Sequence, residues 1–130
     1  MRWLLDTNVG IDAFAGHADS VRAITSGRTA NLEWIGYSAI TRLELLGFPE
    51  LNAADELGLR NLLGQFGEAP IDGAVIERAI EIRKSVRIKI PDAIVAATAV
   101  IYEANLVTRN TSDFKNISGL SVLDPATMSP

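Results

Sequence analysis

Cysteine is absent from the 130 residues, which excludes disulfides, thiolate zinc sites and cysteine nucleophiles. Histidine occurs once, as His17, so there is no imidazole cluster for a transition metal. Any metal would have to be a hard cation held by oxygens. No stretch approaches the roughly 18 to 20 uninterrupted apolar residues of a membrane span. The opening segment "MRWLLDTN" has too short an apolar run before Asp6 for a signal peptide, so the expected location is cytoplasmic, with no membrane partner. Positive charge is also scarce: 12 Lys and Arg against 16 Asp and Glu leave a net charge of −4. A nucleic-acid role would need a local basic surface, or a metal that inverts the local field. What remains, 48% hydrophobic and 22% charged residues, suits one ordered domain with a real core.

Along the chain, short apolar runs alternate with helical patterns. "RWLL" (2–5) reads as a strand ending at Asp6, and "NVGIDAFAG" as the helix after it. "SVRAITSG" continues helical, with Gly27 placed as a C-cap. "EWIGYS" (33–38) is a second strand, and Ser38 is positioned to cap a helix from Ala39 to Gly47 that Pro49 ends. "AADELGLRNLLGQF" is an amphipathic helix, "APID" a minimal third strand, and "GAVIERAIEIRKSV" a helix with Val75, Ile76, Ala79, Ile80 and Ile82 as its apolar stripe. A helix from Pro91 precedes two more strands, "NLVT" (105–108) and "LSVLD" (120–124), separated by the polar "RNTSDFKN". This order implies βαβ crossovers and a mainly parallel sheet of about four to five strands flanked by helices. No repeat, linker or low-complexity segment interrupts it, and only the tail "ATMSP" is expected to fray.

The segment "IPDAIVAATAV" (90–100) places Asp92 at the mouth of a helix that is otherwise apolar all round. Such a helix is expected to be buried on every side, with its N-terminus at the sheet edge where parallel α/β proteins bind ligands. Asp6 ends the first strand and Asp113 follows the "LVT" strand, so both fall on that same edge. A fourth acid comes from "SAITRLELLGF". At ~100° per residue, with Ile40 at zero, Glu44 falls near ~40° and Phe48 near ~80°, which puts Glu44 on an apolar face. Arg42 points away from it, so another group should satisfy that charge.

Each acid has a plain structural reading when taken alone. Asp6 is a good N-cap, Asp92 favours a helix dipole, Asp113 suits an Asx-turn, and Glu44 can reach past the helix end to water. Taken jointly, four acids on one edge with no basic residue fixed among them repel one another, and a divalent cation is their natural neutraliser.

In the pieces "LLDTNVGID" (4–12), "SAITRLELLGF" (38–48), "IPDAIVAATAV" (90–100) and "LVTRNTSDF" (106–114), the chain resembles the PIN-domain ribonucleases, and most closely the VapC-type toxins of toxin–antitoxin pairs. The four blocks occur in family order and span the chain. The resemblance implies one PIN-like domain over residues 1–130 and an acidic site for Mg²⁺ or Mn²⁺. It makes Asp6, Glu44 and Asp92 the core metal-site acids and Asp113 the fourth. Many such proteins carry an acid where this chain has Asn110, so Asn110 is expected to assist Asp113 through water. Thr7, Asn8 and Thr108 match polar positions that orient a carboxylate or a water, or act as local caps. It further implies hydrolysis of RNA to 5′-phosphate and 3′-hydroxyl ends, inhibition by a VapB-type antitoxin, and a homodimer.

For RNA to approach, "RKSVRIK" offers Arg83, Lys84, Arg87 and Lys89, and Arg109 and Lys115 flank the last acid; Arg109 and Lys115 are the expected RNA contacts. The same run equally reads as a solvated helix face. Two rivals come from other classes. A phosphotransfer receiver domain would need a middle-strand acceptor Asp and a Lys after a late strand, where this chain has Glu44 on a helix and Arg109. A non-catalytic PIN-like scaffold that binds protein would share every element named, and metal-dependent turnover separates it from a nuclease.

Overall fold

The computed structural model describes residues 1–29 and 32–127, with only the backbone described for 27–29. Five strands form one sheet: β1 (Arg2–Leu5), β2 (Trp34–Ser38), β3 (Gly67–Ala69), β4 (Asn105–Val107) and β5 (Ser121–Leu123). Every pairing is parallel and the order is β3-β2-β1-β4-β5. Six α-helices flank it: α1 (Thr7–Phe14), α2 (Ala18–Thr29), α3 (Ala39–Leu46), α4 (Ala53–Leu63), α5 (Gly73–Ser85) and α6 (Ile90–Ile101). The expected parallel α/β architecture is therefore the observed one. None of the described helices is long and apolar enough to cross a membrane.

Alternation along the strands divides the core in two. Leu4 of β1 and Leu106 of β4 pack with α5 and α6 on one face. Their neighbours Trp3, Leu5 and Val107 pack with Val9 and Ile24 on the other. A strand covered on both faces must be apolar at consecutive positions, which is why "RWLL" and "LV" carry no alternation. Helix α6 is buried without interruption from Ala93 to Ala99 and lies against α5, β1, β2 and β4. Its four alanines leave its backbone slim enough for that central place.

Several local expectations are corrected. The third strand is Gly67–Ala69 rather than "APID": Pro70 has no N–H to give, and Asp72 instead caps α5 by accepting from the Val75 N–H at 3.0 Å. Helix α2 runs through Gly27 to Thr29 instead of ending there, and α4 stops at Leu63. On α5 only Val75, Ala79 and Ile82 of the expected stripe are buried, whereas Ile76 and Ile80 are exposed, because α6 covers a narrow strip of that helix. The polar "RNTSDFKN" contains a 3₁₀ turn, Thr111–Phe114, pinned by buried Phe114. Ala126 and Thr127, the first residues of the tail, join the buried Pro125 in a second 3₁₀ turn, Pro125–Thr127; residues 128–130 lie outside the described residues. Replacing Asp72 with Ala should lower stability by about 1 kcal/mol, the usual cost of a lost N-cap, read as a lower urea midpoint at unchanged slope.

The strand order places the site. From β1 the chain builds outward to β2 and β3, then returns to β1's other side for β4 and β5. Connections leave the carboxyl ends of β1 and β4 in opposite directions, opening the crevice in which such sheets hold ligands.

Candidate active site

Asp6 stands at the carboxyl end of β1 and is 6% exposed. Its N–H donates to the Val107 carbonyl at 2.9 Å, locking the β1 end to β4. Its Oδ1 accepts from the Thr7 N–H at 2.8 Å, as an N-cap of α1. Its Oδ2 accepts from the Thr108 hydroxyl at 2.8 Å and from Asn8 Nδ2 at 3.2 Å. Thr108 is itself fully buried, and its Oγ1 also accepts from Asn8 Nδ2 at 3.2 Å and from the Asn110 N–H at 3.1 Å. With both acceptor positions taken, the one hydroxyl proton of Thr108 is committed to Asp6. Burial pushes the Asp6 pKa up, the Thr108 and Thr7 hydrogen bonds oppose this, and the carboxylates of Asp92 and Glu44 raise it further. The capping and acidic-site readings of Asp6 thus describe the same residue.

Glu44 reaches the site from α3. Its Oε1 accepts from the Thr7 hydroxyl at 2.8 Å, and Thr7 Oγ1 lies 2.9 Å from Thr41 Oγ1. One arrangement of protons satisfies all three groups: Thr41 donates to Thr7, which donates to Glu44. The expected apolar setting of Glu44 is corrected. Helix α3 rests on α1 and α4 through Thr41 and Leu45, one residue round the wheel, so Glu44 and Phe48 are exposed. Arg42 does point elsewhere, to Glu68 at 2.5 Å.

Asp92 lies in the first turn of α6, where Lys89 is the N-cap and Pro91 occupies the opening turn. Burial raises its pKa, the charges of Asp113 and Glu44 add to this, and Lys89 opposes them. Asp113 sits in the 3₁₀ turn after β4 and is exposed. Asp6 feels Asp92 and Glu44, and Asp92 feels Glu44 and Asp113, so the four acids share one field at one sheet edge.

Among the described residues, none of these acids makes an ion pair, and no three acids or histidines stand close enough to form a ready metal cage. By chemistry the donor set is all oxygen, which fits a hard cation such as Mg²⁺ or Mn²⁺. It fits by charge and ligand type rather than by preassembled geometry.

The flanking residues divide. Thr7, Asn8 and Thr108 hold the acids as described. Asn110 contributes its backbone N–H to Thr108. Arg109 is exposed and ion-paired: its guanidinium donates to Asp12 at 2.7 Å, and its N–H donates to Asn8 Oδ1 at 3.3 Å. Lys115 faces a groove shared with Asp92 and Asp113. Sequence reasoning missed Thr41 and Asp12. Thr41 had a signal, lying one helical turn before Glu44; Asp12 had none, because its partner is 97 residues away.

A parallel β3-β2-β1-β4-β5 sheet with a buried Asp6 at its switch point defines the class. Residues 3–120 match the model of the PIN domain, and the chain belongs to that family, whose members are generally nucleases that use divalent metals. Among solved structures, the chain is similar to one in a toxin–antitoxin complex from Klebsiella pneumoniae, with 33% identity over 94% of this chain and 96% of that one, at a TM-score of 0.78. FitAcB from Neisseria gonorrhoeae shares 28% identity over 97% and 99% of the two chains, with a TM-score of 0.75. VapBC2 from Rickettsia felis, bound to a DNA fragment from its promoter, is 24% identical over 95% and 98%, with a TM-score of 0.82, and supports the fold alone. A search of curated proteins finds no match.

Proposed function

We propose that the protein is the toxin of a VapBC-type toxin–antitoxin pair, a cytoplasmic Mg²⁺- or Mn²⁺-dependent endoribonuclease. What supports this reading is that Asp6, Glu44, Asp92 and Asp113 are linked by mutual repulsion, and that none of them is ion-paired among the described residues, in a chain of the PIN family. The relative in the Klebsiella toxin–antitoxin complex supports the toxin role and a cognate antitoxin, which on this reading is of the VapB type. Asp6, Glu44, Asp92 and Asp113 would hold the ion. When bound, the ion lowers the pKa of a water for attack on phosphorus and offsets negative charge in the transition state.

The protein's own groups perform the positioning. Thr108, Asn8 and the Thr7 N–H fix the rotamer of Asp6, leaving one Oδ1 lone pair for an ion. Thr7 ties Glu44 to the start of α1, next to Asp6. The sole histidine, His17, is exposed between α1 and α2, so no imidazole pair is available to activate a ribose 2′-hydroxyl. Hydrolysis to 5′-phosphate and 3′-hydroxyl ends, which does not use the 2′-hydroxyl as nucleophile, fits that absence. An antitoxin would silence the site by placing a basic side chain among the acids or by blocking the RNA path, and the toxin would work as a homodimer.

The rival, a PIN-like scaffold that only binds protein, draws on the lack of a preassembled ligand set among the described residues. Incubating antitoxin-free protein with total RNA and Mg²⁺ or Mn²⁺, then mapping the new ends, decides between them. Discrete cuts with 5′-phosphates, lost in EDTA and in Asp92→Asn, are expected. Ends bearing 2′,3′-cyclic phosphate would refute the metal-water route, and no metal-dependent cutting would favour the scaffold.

A further inference from the structure

The basic residues of this acidic chain are sorted. Arg2, Arg22, Arg42, Arg60, Arg78 and Arg109 each pair with a carboxylate. Among the described side chains, the five cations without an ion pair are Arg83, Lys84, Arg87, Lys89 and Lys115, and they all gather in one place. Four of them line a groove of about 870 Å³ between the α5–α6 connection and the 3₁₀ turn after β4, and Lys84 stands on its continuation. Asp92 and Asp113 form part of the same groove wall, and Val86 and Ile88 supply an apolar strip between the cations.

We propose that this groove is the track for the single-stranded RNA flanking the scissile phosphate, with Arg87, Lys89 and Lys115 gripping its phosphates. The inference rests on the nuclease reading of the adjoining acids. Unpaired cations in a net-negative protein repel one another and gain most from a ligand that supplies several regularly spaced negative charges. A polyanion entering the groove meets those cations and reaches Asp92 and Asp113, where a bound divalent ion would receive one phosphate. The apolar strip suits the faces of unstacked bases, which a duplex would keep hidden. Arg109 is not part of the track, since Asp12 already holds its guanidinium.

The test is binding of a fluorescent oligouridylate to the full chain in EDTA, so that affinity is read without cleavage, across a salt series. The triple variant Arg87→Ala, Lys89→Ala, Lys115→Ala should bind on the order of 100-fold more weakly at about 0.1 M salt. Its log–log salt slope should fall by ~2, since each single-strand phosphate contact accounts for ~0.7. The variant Arg22→Ala, Arg60→Ala, Arg78→Ala changes net charge equally but removes only paired cations, and should bind as the parent does. Equal weakening by both triples, or an unchanged slope in the first, overturns the groove. So does displacement of the RNA by oligoglutamate as readily as by unlabelled RNA, which would assign the groove to an acidic protein segment. Failure here with Asp92-dependent cutting intact removes the track and leaves the nuclease. Groove-dependent binding without any metal-dependent cutting removes the nuclease and its scissile phosphate, overturning the track and leaving the groove as a single-stranded RNA-binding surface only.

Discussion

Asp6→Asn is expected to lower the rate of metal-dependent RNA cleavage about 10³-fold. A metal-bound carboxylate helps to place several kcal/mol of transition-state stabilisation, and each 1.36 kcal/mol is worth roughly tenfold in rate. Asn is nearly isosteric, yet it removes the charge and presents an NH₂ where Asp6 accepts hydrogen bonds from Thr7, Thr108 and Asn8. Activity should therefore fall in Mg²⁺ and Mn²⁺ alike, while circular dichroism shows a folded chain. Cleavage within threefold of the parent would remove Asp6 from the site.

The same residue makes metal-free stability depend on pH in an unusual direction. Asp6 and Asp92 both have pKa values raised by burial and by neighbouring carboxylates. The folded state therefore binds protons more readily than the unfolded chain, and stability rises as pH falls. The gain begins at the raised folded pKa values and is complete below the ordinary carboxylate value of 3.8. Glu33 acts in the opposite sense, since the N-terminal ammonium holds its pKa down, and its contribution is lost on acidification. Urea melts in EDTA at several pH values should resolve the net effect. The slope between neutral and mildly acidic pH should be shallower in Asp6→Asn, because one of the titrating groups is gone while Glu33 is unchanged. Identical slopes in parent and variant would show that Asp6 carries no such strain.

Thr108→Val is the second large effect. The substitution keeps the volume but removes the proton donated to Asp6 Oδ2 and the acceptor used by Asn8 Nδ2 and the Asn110 N–H. Loss of a hydrogen bond that orients a metal ligand typically costs 10- to 100-fold in affinity or activity, so kcat should fall by about that factor. Stability should drop by roughly 1 to 3 kcal/mol, because buried polar groups are left unpaired. Mn²⁺ affinity measured by calorimetry should fall in parallel, whereas RNA affinity in EDTA should not. Thr108→Ser retains the hydroxyl and should restore most of the activity. If Val destabilised the chain yet left Mn²⁺ affinity and kcat unchanged, Thr108 would be a core residue only.

The fold was largely legible because its signals are local. Consecutive apolar residues in "RWLL" and an uninterrupted apolar helix after Asp92 both mark elements covered on every side, and such patterns need no knowledge of partners. The misjudged elements were short or lay at edges. In "FGEAPID" the strand falls on Gly67–Ala69 because register with β2, Gly36 opposite Gly67, decides it, and no residue within the segment announces that pairing. The wheel of α3 placed Glu44 correctly relative to Ile40, but which side of an eight-residue helix meets α1 and α4 is a matter of docking.

By itself, the sequence determined the class of chemistry available: no thiol, no imidazole cluster, and oxygen donors at strand and helix ends suited to a hard cation. Those properties belong to residue types, and folding does not change them. Only the tertiary structure decided which groups act together. Thr108 meets Asp6 across 102 positions of chain, and Arg109 is neutralised by Asp12 across 97, so one basic residue beside the acids is tied down while Lys115 stays open to the groove. The physical reason is that hydrogen bonds and ion pairs depend on distance in space, and the parallel sheet brings the ends of β1 and β4 together whatever their separation along the chain.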